Sequence, residues 1–142
     1  MISIRIKKTF FILACFLISI VVFCERIVID SASGGSPIEL HKFGTGRNVV
    51  LLIGDISGSG NDTAFSIENE INSGKIKIPS DNSLWVIPSI NPDGNNGINR
   101  KGVFISRNFA SGTFKEIDYD VSKRIFCGKF LFSEPESLAL KK

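Results

Sequence analysis

The sequence predicts an α/β domain: a layered, mixed β-sheet with flanking helices. Three observations lead there. Short apolar runs with strand-like patterning recur between Gly-, Ser- and Pro-rich turns. One segment with helical spacing sits between two of those runs, giving the strand–helix–strand order of a layered fold. A hydrophobic content of 43% with 12 Phe among 142 residues supports one real core and argues against global disorder.

Taken in order, Arg26-Ile27-Val28-Ile29-Asp30 reads as a first short strand, and residues 31–37 as a Ser/Gly turn. Pro37-Ile38-Glu39-Leu40-His41-Lys42-Phe43 alternates apolar and polar, the mark of a half-buried strand. After the turn Gly44-Thr45-Gly46-Arg47, the run Asn48-Val49-Val50-Leu51-Leu52-Ile53 is continuously apolar, as expected of a strand covered on both faces. Asp62 or Thr63 can cap a helix whose Ala64, Ile67 and Ile71 share one face, and Gly74 ends it. Leu84-Trp85-Val86-Ile87-Pro88 is a further buried strand with Pro88 at its exit. Residues 91–106 form a long polar loop. In the final helix Ser133 serves as cap, Pro135 suits the first turn and Glu136 completes a capping box.

Residues 1–24 read as a signal peptide or signal anchor, and residues 25–142 as the domain. Arg5, Lys7 and Lys8 precede an uncharged apolar run over residues 9–24, short for a spanning helix but ample for a signal. No small-x-small cleavage pattern lies near Phe23, and Cys24 stands where a lipid-modified cysteine would. Export to the periplasm or to a membrane anchor is expected, with cleavage, anchoring and lipid modification all open. The net charge of +3 comes from those three basic residues, so the remainder is neutral and asks for no nucleic acid. Cys127 is alone beyond the leader and is expected to be a small packing residue.

Four landmarks recur in the order found in a known family. They are Gly54-Asp55-Ile56-Ser57-Gly58-Ser59-Gly60, Pro88-Ser89-Ile90-Asn91-Pro92-Asp93-Gly94, Gly102-Val103-Phe104-Ile105-Ser106-Arg107-Asn108-Phe109 and Ser133-Glu134-Pro135-Glu136. Over residues 30–140 the chain resembles the first half of the zinc metallocarboxypeptidases, which include murein-peptide amidases. The resemblance implies that family's fold, and zinc as the family's cofactor. It also implies a broken metal site. The family's first ligand pair, a His and a Glu three residues on, falls on Ser57 and Gly60. The second zinc histidine and the catalytic glutamate come after the Ser-Glu-Pro-Glu helix, near which this chain stops. A catalytic zinc needs three protein ligands and an open position, so no cofactor and no autonomous peptidase activity are expected.

His41, the only histidine, is expected to be a surface or half-buried strand residue rather than a ligand. Glu134 and Glu136 are expected to be structural. The carboxylate-binding part is half kept: Arg107 matches the family's carboxylate-holding Arg, while Ser106 replaces its Asn. Asn99 matches the Asn of the family's Arg-x-Asn, but the Arg position falls on Gly97, and Arg100 is out of register. Three readings follow: a truncated, degenerate domain without activity; a module that binds a peptide or peptidoglycan-stem carboxylate through Arg107; and one part of a split enzyme completed by a complementing chain.

Overall fold

A computed structural model describes residues 24–60, 63–110, 114 and 126–141. The leader over residues 1–23 and the candidate cap Asp62 lie outside the described residues. Four strands form one sheet: β1 (Cys24–Ser31), β2 (Pro37–Phe43), β3 (Asn48–Ile53) and β4 (Asn82–Ile87), in the order β1-β2-β4-β3. β1–β2 and β2–β4 are antiparallel and β3–β4 parallel, so the sheet is mixed as expected. Parallel neighbours need a crossover, and helix α1 (Thr63–Asn72) lies on it. Gly74, at φ 75°, closes that helix by donating its N–H to the Ile71 carbonyl at 2.9 Å. A short helix α2 (Pro135–Leu138) follows the long loops.

The two-residue strand period sorts the core onto both faces of the sheet. Phe43 and Val86 pack with Ala64 and Ile71 of α1 on one face. Ile38, Ile87 and Ile90 pack with Ala32 and Ala139, beside α2, on the other. Cys24, assigned to the leader on sequence, is the first residue of β1; it pairs with Phe43 and packs against the α1-side cluster.

Three expectations need correction. β3 is not covered on both faces: Val49, Val50, Leu51 and Ile53 are all 42–59% exposed. It is a sheet edge, and a continuous apolar run does not distinguish an edge from a buried strand. β4, in the middle of the sheet, does have the burial expected of it at Val86 and Ile87. Ser133 does not cap α2. The N-cap is Glu134, with no side-chain cap bond, while the Ser133 hydroxyl donates to Glu134 Oε1 at 2.9 Å. Glu136 completes no capping box, because distant partners hold its carboxylate. His41 is fully buried, as described below.

The edge strand generates the first prediction. Leu51→Lys, on an exposed side chain, should leave the circular dichroism spectrum intact and reduce concentration-dependent light scattering. Ile38→Ala, in the core, should cost about 2–5 kcal/mol in urea unfolding. Equal destabilisation by both would show that β3 is covered.

Candidate functional site

The loop after β3 is held at its root by backbone bonds. Gly54 donates to Ile87 O at 2.8 Å and accepts from Ile90 N at 3.0 Å. Asp55 follows with φ 47°, a left-handed conformation that Asp tolerates better than most residues. It is 2% exposed. Its carboxylate accepts the Ser59 N–H at 2.8 Å, the Gly60 N–H at 3.3 Å and the Ser89 hydroxyl at 2.8 Å. The loop therefore wraps around its own carboxylate.

The Asn-Pro-Asp-Gly turn supplies the opposing wall. Gly94 N–H closes the turn on the Asn91 carbonyl at 3.0 Å, and buried Asn91 donates to Ile56 O at 3.2 Å. A Cβ on Gly58 would lie 2.4 Å from the Gly94 carbonyl carbon, so only glycine permits this approach. The Ser57 carbonyl accepts the Gly97 N–H at 2.8 Å, and the Gly97 carbonyl accepts the Ile105 N–H at 3.1 Å. Residues 54–60, the turn and the start of the 3₁₀ segment Ile105–Arg107 thus form one connected wall. Asp93 ties this wall to the first turn by accepting both the N–H and the hydroxyl of Ser36. The Ser36 hydroxyl bond is the main cause holding the Asp93 carboxyl below its ordinary range, outweighing desolvation.

As folded, the loop does not fit a catalytic zinc. Ser57 offers a neutral hydroxyl already within 3.0 Å of Ser59 Oγ, and Gly60 offers no side chain. The nearby Asp55 carboxylate is engaged by the loop's own donors.

Arg107 and Ser106 are exposed, and Arg107 makes no ion pair among the described residues. Asn99 is instead a buried hub. Its Oδ1 accepts the N–H groups of Lys101 and Val103, each at 3.0 Å, and its Nδ2 donates to Glu134 at 3.0 Å and Glu136 at 3.1 Å. Glu136 also accepts the Ser33 N–H at 2.8 Å, the structural use expected of it. Cys127 is half-buried and free, with its carbonyl held by Asn108 Nδ2 at 2.7 Å.

Sequence reasoning missed the pair His41–Glu68. His41 is 5% exposed and Glu68 6%. His41 Nδ1 lies 2.7 Å from Glu68 Oε1, and Nε2 lies 3.1 Å from Glu39 Oε2. Alternation suggested an exposed histidine because Lys42 is its neighbour, yet β2 faces a helix on one side and a core on the other. A signal existed: Glu68 follows Ala64 by four residues and precedes Ile71 by three, inside the apolar stripe.

These landmarks, on a mixed sheet with flanking helices, define a zinc metallocarboxypeptidase-like fold. Solved structures agree. Bovine thrombin-activatable fibrinolysis inhibitor, in complex with tick carboxypeptidase inhibitor, superposes with TM-score 0.66 at 18% identity, over 96% of this chain and 53% of that one. Carboxypeptidase A from Helicoverpa armigera gives 0.63 at 17% identity, over 83% and 36%. Murein-tripeptide amidase from Escherichia coli O157 gives 0.59 at 19%, over 82% and 54%. The chain spans about half the length, or less, of these structures. No family model and no curated protein matches the sequence.

Asp93 supplies a prediction with a definite sign. A carboxyl whose native pKa is depressed stabilises the fold above its unfolded value, about 3.9, and loses that contribution as pH falls through the native value. Asp93→Asn should therefore lower the urea midpoint at neutral pH, with the gap to the parent closing in acid. A gap independent of pH would assign the effect to shape alone.

Proposed function

We propose that this chain is an exported, degenerate metallocarboxypeptidase-like domain without peptidase activity of its own. The observation that carries the proposal is the loop over residues 54–60. Ser57 and Gly60 stand where the family resemblance places ligands, and the Asp55 carboxylate is turned inward onto the loop's own donors. The only histidine, His41, belongs to β2 and is held by two glutamates. Without a polarising ion, neither the scissile carbonyl nor the attacking water is activated. The basic start and apolar run of residues 1–24 support export, either cleaved or anchored.

Full-length protein, incubated with added zinc, should release no residue from peptides with a free C-terminus and none from a murein tripeptide. Chelator-sensitive turnover that co-purifies with the chain would overturn the proposal.

The exposure of Arg107 favours a second reading, a module that recognises the terminal carboxylate of a peptide or peptidoglycan stem. An exposed guanidinium without an ion pair among the described residues is available for a bidentate contact. A peptide acid should then bind about ten- to a hundredfold better than its C-terminal amide, the worth of about 1.5–3 kcal/mol for a charge-assisted bond. Arg107→Lys should erase that preference. Identical NMR titrations of acid and amide, with no shifts around Arg107, would remove this reading.

A further inference from the structure

We propose that Cys24, His41 and Glu68 form a binding site for a zinc-class divalent ion on the α1-covered face of the sheet. The site is distinct from the loop over residues 54–60, does not depend on whether peptidase activity has been lost, and belongs to the form of the chain that retains Cys24. The Cys24 sulfur, a His41 ring nitrogen and a Glu68 carboxylate oxygen all lie within 4.8 Å of one another. Each comes from a different element. Pairing of Cys24 with Phe43 and of Arg26 with His41 puts residues 24, 26, 41 and 43 on one face, and α1 lays Glu68 over them.

The donor set selects the ion. Thiolate, imidazole and carboxylate together suit borderline zinc, whereas calcium and magnesium demand oxygen ligands. His41 Nδ1 already faces Glu68, and we assign it as the ligand nitrogen. Its other nitrogen faces Glu39 at 3.1 Å, the outer carboxylate that commonly orients a metal-bound histidine. Bonds of about 2.1 Å on a tetrahedral ion set neighbouring ligand atoms roughly 3.3 Å apart. The 2.7 Å contact between Nδ1 and Glu68 must open by a fraction of an ångström, and the widest separation must close by up to about 1.5 Å. Arg26, 3.9 Å from Glu68 in this state, has a side chain 61% exposed and can swing away. A cleft of about 180 Å³ lined by Glu39, His41, Phe65, Pro88 and Ser89 opens onto the histidine from its Glu39 side.

The test titrates reduced, full-length protein with Co²⁺, then Zn²⁺. One cobalt per chain should bind with a thiolate-to-metal charge-transfer band, and zinc should displace it. Cys24→Ser should abolish the band, Glu68→Gln should weaken zinc binding by at least about tenfold, and Ser57→Ala should change nothing. In case a variant fails to fold, alkylation followed by peptide mapping reads the native sequence directly: zinc should protect Cys24 and leave Cys127 reactive. Absence of the band, a band that survives Cys24→Ser, or zinc-independent labelling of Cys24 each overturns the site. A lipid found on the Cys24 sulfur would also overturn it, since a thioether cannot act as the thiolate.

Discussion

A buried polar network centred on Asn99 and Asn108 holds the second half of the described chain to the sheet. Asn108 is wholly buried; its Nδ2 faces the carbonyls of Cys127 and Phe130, while its Oδ1 accepts the Glu134 N–H at 3.1 Å and the Ser137 hydroxyl. Asn99 joins Glu134 and Glu136, and Glu136 reaches the Ser33 N–H in the first turn. The backbone groups that these loops bury must find polar partners or incur about 1–3 kcal/mol each. The α2 segment is too short to stand on its own hydrogen bonds. It persists because its carboxylates complete the network.

The same logic applies to the loop over residues 54–60. Its course is set by glycine contacts, by backbone bonds to β4 and by the inward Asp55 carboxylate. The Ser57 hydroxyl joins that network, 3.3 Å from Asp55 Oδ1 and 3.0 Å from Ser59 Oγ, while Gly60 contributes its backbone N–H alone. Gly60, at φ 72°, has the left-handed backbone that favours glycine. A side chain at Gly58 would collide with the facing Gly94 backbone, and one at Gly94 would collide with Asn91 of its own turn. Glycine geometry and backbone bonds are therefore what fix the course of this loop.

How much of this was legible in the sequence follows from which features have local causes. The spacing of Ala64, Ile67 and Ile71 reports the inner face of α1 correctly, because one helix period determines it. The alternation along β2 reports the Ile38–Leu40 face but not the opposite one, where His41 and Phe43 are also buried. The order of landmarks also led to the fold. Burial of β3 was misread because cover is supplied by other elements, and the run Val49-Val50-Leu51-Leu52-Ile53 has no way to specify its neighbours. The Ser133 cap failed for the opposite reason: a local motif was overruled by long-range partners for Glu134 and Glu136. The His41–Glu68 pair joins residues 27 apart in sequence, and only the crossing of α1 over β2 brings them together.

Charge burial connects these points. Asp55, Glu68, Glu134 and Glu136 are each at most 6% exposed, an arrangement that proteins tolerate only where donors or cations surround the carboxylate. Asp55 is satisfied by its own loop, and Glu134 and Glu136 by Asn99 and neighbouring backbone or side-chain donors. Glu68 differs, because its partners His41 and Arg26 are ionisable side chains rather than fixed backbone donors. A carboxylate held only by movable groups is the one best placed to exchange them for an ion. The proposed metal site accordingly lies on the β1–β2–α1 face, apart from the loop over residues 54–60, whose carboxylate is held by neighbouring donors.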